Sequence, residues 1–423
     1  MDNLKTTKVL PYKWELILLL WFAFFFHQAD RQIFNVVLPA IRDDLNLSDS
    51  DMGLISAIVT LAYGILVPIG GFIGDRVNKK WLIIISLFMW TSATLFTGMS
   101  TLLVHLIILR GIFTGGCEAF YSPPANALIG EYHEKTRATA MSIHQTALYA
   151  GIVVSGFLAG WIADQFSWRV AFYAFGGLGI LLAIILMFRM KDSKPAKNNA
   201  GGSKTGTISF SEGLRIFFRK PTVILLSIAF AGMVFVNVGF MTWMPTYLHE
   251  DFGFSLARSG FDSTFYHYLA AFFGVLLGAR VADRYSFKIT GMRGIVQAFG
   301  LLLGAPFIFL MGITNTPVVI YLSLAFFGLF RGIYDSNIFA ALYDVVEPRY
   351  RSTATGMMLM FAFVTGAVAP YLLGIIKPVL GLSWGLSALS VVYVLAAICI
   401  FIAVRFYYKN DLVQKKLQYD TGS

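Results

Sequence analysis

Apolar runs of about 20 residues recur along the whole chain, and a run of that length in helical form crosses a hydrocarbon core of roughly 30 Å. In such a core the backbone must satisfy its own hydrogen bonds, which leaves helices or a closed barrel. A barrel requires short alternating segments. These runs are continuous, so the chain reads as an all-α membrane protein. Spans are expected at 14–40, 51–74, 81–99, 102–128, 138–163, 168–190, 222–248, 261–282, 291–312, 316–342, 352–378 and 383–405. Only 13% of the residues are charged and mean hydropathy is +0.69, whereas a soluble domain carries about 25% charge.

The net charge of +10 would suggest nucleic acid as a partner of a soluble protein. Here the lysines and arginines fall in loops, so the bilayer is the expected partner and nucleic acid is not. The N-terminus, the loops at 76–80, 135–137, 280–293 and 349–351, the stretch between the sixth and seventh spans, and the tail are all basic. The opposite loops hold mainly Arg42, Arg169, Arg258 and Lys377. Both termini are therefore expected in the cytoplasm, at a bacterial inner membrane. The divisions are an N-terminal bundle at 1–190, a linker at 191–221, a C-terminal bundle at 222–406 and a tail at 407–423. The linker is rich in Lys, Gly, Ser and Asn, and "FSEGLRIFF" at 210–218 suits a short amphipathic surface helix. Cys117 and Cys399 lie in apolar runs and read as small buried thiols. No cleavable signal is evident, because the first apolar run is of spanning length and lacks a small-residue cleavage site.

The halves of the chain resemble each other. "LPAIRDDLNLSDS" parallels "MPTYLHEDFGFSLARS", "GGFIGDRVNKK" parallels "GARVADRYSFK", and "CEAFYSPPANAL" parallels "FRGIYDSNIFAA". The offset stays between 206 and 214 residues. Two pseudo-symmetric six-helix bundles with a site at mid-membrane are what a rocking transporter needs. "GGFIGDRVNKK" is similar to the loop signature of the major facilitator superfamily, with Gly71, Asp75, Arg76, Lys79 and Lys80 in place and Asn78 where glycine is usual. "ADRQIFNVVLP", "RGIFTGGCEAFYSPP" and "WRVAFYAFGGLGI" resemble two groups within it. One is the anion:cation symporter family, which carries sugar acids, sialic acid and other organic anions. The other is the Spinster-like group, associated with lysolipids. The resemblance implies alternating access, and it implies an arginine and a glutamate seven residues apart in the fourth helix. Arg110 and Glu118 are eight apart, and one residue turns a regular helix by about 100°. Either a one-residue π-bulge restores the phase, or Arg110 stands outside the family role.

Ionisable groups within spans cost roughly 2.5–3.5 kcal/mol each on insertion scales, so several in one chain imply a shared polar cavity. His27, Arg31 and Asn35 are spaced four apart and share a face of the first helix. Glu118 and Tyr121 share a face of the fourth. At an offset of 213 Glu118 falls on Arg331, and at 206 Arg31 falls on Asn237. The expected substrate contacts are His27, Arg31, Asn35, Arg110, Tyr121, Gln145, Asn237, Tyr266, His267 and Arg331. Arginine suits a carboxylate through its planar fork. Arg331 alternatively bridges to Asp335 one turn on. Asp30 and Glu118 are the expected coupling-proton carriers, with Asp30 alternatively orienting the network. The resemblance further implies a cytoplasmic gate from Asp75, Arg76, Lys80, Arg137, Asp283 and Arg284.

The expected function is proton-coupled import of a small organic anion, with a lysolipid transporter as the alternative. No nucleophile–base pair or phosphate loop indicates an enzyme. No histidine pair has ligand spacing with a carboxylate, so neither metal nor cofactor is expected beyond the proton. One twelve-helix chain forms a complete pathway, so a monomer is expected.

Overall fold

The computed structural model describes residues 11–74, 76–133, 135–191 and 219–413, without the side chains of Ala138, Arg349 and Ser352. Asp75, the amphipathic segment at 210–218, most of the linker and the tail beyond 413 lie outside the described residues. The first half comprises α1 (Tyr12–Leu45), α2 (Asp49–Gly74), α3 (Lys79–Thr97), α4 (Leu103–Tyr132), α5 (Arg137–Gln165) and α6 (Trp168–Arg189). The second comprises α7 (Pro221–Glu250), α8 (Leu256–Tyr285), α9 (Met292–Ile313), α10 (Pro317–Val345), α11 (351–380) and α12 (382–411). The expected spans lie within these helices or overrun them by a few residues.

Local signals set the ends. Asn46 turns left-handed at φ 52° and stops α1. Asn78 caps α3 by accepting from the Lys80 amide, and Ser167 and Ser255 cap α6 and α8 in the same way. Proline occupies the first turn of α7 and of α10. Gly381, at φ 80°, separates α11 from α12, a conformation that a residue with a Cβ resists. Ten described helices are long and apolar enough to cross a membrane. The last of them, Thr353–Asp411, holds both α11 and α12. α1 completes the twelve, its mean hydropathy lowered by the polar residues at its centre.

Within the halves α1 packs on α5, α3 on α6, α8 on α10 and α9 on α12. Between them α5 meets α8 and α2 meets α11. Glycines make these seams close. A methyl group at Gly156 on α5 would lie 2.7 Å from the Gly260 carbonyl oxygen on α8, and one at Gly64 on α2 would lie 2.6 Å from Phe363 Cβ on α11. Small residues suit membrane helix pairs because lipid already satisfies apolar side chains, so close backbone approach supplies the attraction.

The two ends of the bundle differ. At the end opposite the chain termini, Arg42 pairs with Asp49 at 2.9 Å and with Glu250 at 2.8 Å. Lys377 pairs with Asp49 and with Glu250, both at 2.7 Å. This four-residue ring ties α1 and α2 to α7 and α11. Nearby, the Asp164 carboxylate accepts from the amides of Leu256 and Ala257, which ties α5 to α8. Among the described residues, the ion pairs that join the halves gather at this far end. At the terminal end a cleft of about 510 Å³ opens between α2, α4 and α11, lined by Pro68, Phe72, Pro123, Met357 and Met360 among others. Isolated surface pairs contribute little, but a partly buried network of four contributes more. Lys377→Glu is therefore expected to open the far end by several ångström, measured as the distance between spin labels on α1 and α7 there, and Glu250→Lys in the same chain is expected to restore it. An unchanged distance distribution in the single variant would show that the ring does not hold this end.

Candidate functional site

α1 carries Asp30 and Arg31 side by side, and because neighbours on a helix point about 100° apart, each meets a different partner. Asp30 is buried. Its carboxylate accepts from Arg110 Nη1 at 2.6 Å and from the Thr94 hydroxyl, and its backbone carbonyl accepts from Arg110 Nη2 at 2.9 Å. Arg31 donates through Nε to Glu118 Oε2 at 2.6 Å, and its guanidinium lies 4.1 Å from the Tyr63 ring centre. Two adjacent residues of α1 thus engage two residues of α4.

The eight-residue spacing of Arg110 and Glu118 is reconciled by a π-helical stretch over Ile107–Thr114. The wider turn absorbs the additional residue, and both side chains face α1. The Thr114 hydroxyl donates to the Leu109 carbonyl at 3.0 Å within this stretch. α4 loses regular helix again just after Glu118, at 119–121, and α10 does so at the equivalent place, 336–337. The breaks bring the repeat into three dimensions.

Beside this network lies a cavity of about 140 Å³ between the halves. α1 supplies Gln28, Arg31, Gln32 and Asn35, and α2 supplies Ser56 and Thr60. Arg110 lines it from α4, Asn237, Met241 and Thr242 from α7, Tyr268 from α8 and Phe363 from α11. The Arg31 side chain is 27% exposed and the Glu118 side chain 0%, so the arginine faces the cavity and the acid stands behind it. Arg31 Nη2, Gln32 Nε2 and Asn237 Oδ1 are buried without a hydrogen-bond partner among the described residues. Such groups are costly unless something pairs with them, so the cavity has both donors and an acceptor to offer a polar ligand.

Arg31, Asn35, Arg110 and Asn237 therefore stand where a substrate contact is expected. The remaining candidates lie elsewhere. His27 is buried among the rings of Phe24, Tyr63, Trp90 and Tyr121, at 5.7–6.0 Å. A step of four residues drifts by about 40° on a regular helix, which carries His27 off the Arg31 face and into the first half. Tyr121 is buried there too, donating to the Leu20 carbonyl at 2.7 Å with its hydroxyl 3.1 Å from His144 Nε2. Gln145 is exposed, about two turns nearer the terminal end than Ile152, which does line the cavity. Tyr266 stacks on Tyr321 at 4.7 Å, on the other side of α8 from Tyr268. His267 is fully buried with Nε2 3.0 Å from Arg331 Nη1. Arg331 Nε lies 3.4 Å from Asp335 Oδ2, the bridge that one-turn spacing allows, and Arg331 does not line the cavity. Gln32, Ser56, Thr60, Thr242 and Tyr268 line the cavity without belonging to the expected set. Their only signal is a polar atom within an apolar span.

The residues of the expected gate sit at the terminal end. Arg76 donates to the Phe72 carbonyl at 2.9 Å and lies 3.4 Å from the Phe72 ring centre. Lys80 is buried beside Trp81, 5.2 Å from its ring centre. Arg137 packs against Gly130. Asp283 and Arg284 are exposed at the end of α8. Lys79 pairs with Glu131 at 3.0 Å and Arg293 with Asp344 at 2.6 Å, each within one half.

The family model described as Major Facilitator Superfamily matches residues 20–370 and 266–419. The hexuronate transporter of Bacillus subtilis is 29% identical over 86% of this chain and 88% of its own length. The D-galactonate transporter of an Escherichia coli strain is 28% identical over 89% and 92%. Human protein spinster homolog 1 is 29% identical over 85% and 72%. Among solved structures, a bacterial homolog to the human lysosomal transporter Spinster, inward-facing and unoccupied, superposes with a TM-score of 0.84 at 21% identity, covering 96% of this chain and 99% of that one. Twelve spanning helices among the described residues, in two repeated halves with a cavity between them, and a family match over most of the length converge on one conclusion: this chain is a multi-pass membrane transporter and belongs to the Major Facilitator Superfamily.

Proposed function

We propose that the protein imports a sugar acid or similar small organic anion together with protons. The observation that carries this reading is the divided position of Arg31: Nε is bound to Glu118, while Nη2 is buried at the cavity with no hydrogen-bond partner among the described residues. The guanidinium fork can hold a carboxylate in two places at once, so an anion in the cavity competes with Glu118 for it. Asp30 and Arg110 form a second acid–base pair, and Arg110 also lines the cavity. Two arginines and two carboxylates balance in charge. An anion added to this low-dielectric site leaves an uncompensated negative charge, which is expensive, and one proton on Glu118 or Asp30 restores neutrality. Substrate and proton then favour each other's binding. The positive-inside rule places the terminal end in the cytoplasm, so the open cleft there is the release side and the four-residue ring closes the outside. In this scheme protons and anion enter from outside, the halves rock, and both leave inward, with the single chain as the working unit.

Uptake of D-galactonate and of a hexuronate into proteoliposomes under an imposed proton gradient tests this. Uptake is expected to rise as external pH falls, and Arg31→Ala is expected to reduce it about 100-fold, the cost of removing one partner of a buried charge pair. Near-normal uptake by that variant would remove Arg31 from the site. The Spinster relatives support a lysolipid or amphiphile as a second reading, whereas Arg31, Arg110 and Asn237 in the cavity lining weigh against it. Thermal stabilisation by lysolipid and by no sugar acid would establish that reading instead.

A further inference from the structure

Resting on the sugar-acid reading, we infer that Tyr268 reads the substrate's hydroxyl groups from the second half, and that Arg331 is the positioning residue that holds Tyr268 in place. The first half offers the cavity its cations, Arg31 and Arg110, so a carboxylate is drawn toward α1 and α4. The facing wall, from α7 and α8, offers no charge. It offers Asn237, whose Oδ1 has no hydrogen-bond partner among the described residues, and Tyr268. Tyr268 is 8% exposed, and its hydroxyl lies 3.7 Å from Met241 Sδ. A thioether is a weak acceptor, so the phenol keeps its hydrogen to donate to a ligand, while its oxygen faces the Arg331 guanidinium as acceptor. A sugar acid bound by its carboxylate at Arg31 must point its hydroxyl chain at this wall.

The ring of Tyr268 is fixed from behind. The Arg331 guanidinium lies 6.0 Å from its centre, and the Tyr149 ring meets it edge-on at 5.6 Å across the α5–α8 seam. Arg331 is itself held by His267 Nε2 at 3.0 Å and Asp335 at 3.4 Å. A charge that neither lines the cavity nor meets solvent freely thus acts on the substrate through the aromatic ring in front of it. His267 next to Tyr268 on α8 belongs to the same support, being buried with its ring 4.6 Å from Phe327.

The test compares binding of D-galactonate with binding of analogues that lack one distal hydroxyl, in purified full-length protein, by competition against labelled D-galactonate. Wild type is expected to prefer the full hydroxyl set. Tyr268→Phe keeps the ring and is expected to weaken D-galactonate about threefold to tenfold while leaving at least one deoxy analogue within twofold of wild type. Arg331→Gln is expected to reproduce that selective loss, and the double variant to be no worse than either single, as for residues acting through one contact. A merely structural role for Arg331 would weaken parent and analogues alike, and that result overturns the positioning assignment. An unchanged ratio of parent to analogues in Tyr268→Phe overturns the role of Tyr268 while the sugar-acid reading stands. Failure of wild type to bind any sugar acid overturns both.

Discussion

Glu118→Gln is expected to abolish concentrative uptake while leaving exchange of substrate across the membrane in place. Glutamine has nearly the shape of glutamate and can still accept from Arg31 Nε, so the geometry around the 2.6 Å contact survives. What disappears is the group that gains and loses a proton. The variant resembles the permanently protonated carrier: Arg31 is released to the anion on every cycle, and the proton gradient no longer does work. Counterflow of labelled D-galactonate is therefore expected to continue and to become insensitive to pH, whereas accumulation driven by an acid exterior falls to the level set by the substrate's own gradient. Persistence of gradient-driven accumulation in Glu118→Gln would move the coupling proton to Asp30 alone. The contrast between accumulation and counterflow matters because Glu118→Ala, by stripping Arg31 of its partner, alters both together.

The second large effect is on folding. Asp30 and Arg110 are 4% and 1% exposed in their side chains, and Asp30 spends its carboxylate on Arg110 and Thr94. Asp30→Ala leaves a buried guanidinium without its anion, which costs about 3–5 kcal/mol. Arg110→Leu leaves the acid in the same position, with a comparable cost. The double variant removes both charges and is expected to recover at least about 2 kcal/mol of the summed losses, within the range measured for coupled neighbours. Reversible unfolding in detergent reads this directly. Additive losses would mean that the two groups are stabilised independently. The same cycle on Arg31 and Glu118 is expected to give a smaller coupling, because Arg31 reaches the cavity and can find other partners there. In the proposed scheme the two pairs divide the labour: the buried one fixes α1 against α4, and the cavity-facing one changes partners.

Much of this was legible in the sequence. Length and apolarity dictate twelve helices, and the repeat dictates two halves, because neither depends on which way a side chain points. That Asp30, Arg31, Arg110 and Glu118 meet charged partners inside the bundle follows from the cost of charge in lipid. The direction of a side chain is harder to read. His27 and Arg31 share a face by spacing, yet a drift of about 40° per step sends one to the cavity and the other into an aromatic core. Arg331 aligns with Glu118 in the repeat, but His267 and Asp335 hold it behind Tyr268. The π-helical stretch of α4 was visible only as a mismatch of one residue against the family pattern. The ring of Arg42, Asp49, Glu250 and Lys377 is spread over four helices from both halves, and its members read singly as loop charges. Thr60, Thr242 and Tyr268 are ordinary members of apolar spans until the fold turns them toward one space.

The glycine seams bear on speed. At the glycines of the α5–α8 and α2–α11 seams main chain approaches main chain, and at those points there is no side-chain knob to be lifted from one hole into another. Interlocked side chains would act as a ratchet, each notch adding to the barrier and forcing rotamers to re-sort on every turnover. A smooth bearing has no notches. The halves can roll over each other with little friction and without parting far enough to admit water or ions between them. Among the described residues the ion pairs between the halves lie at the far end, so in the proposed rocking cycle these charges are the contacts to be broken there, and the fit of the helices serves mainly to keep the joint from leaking.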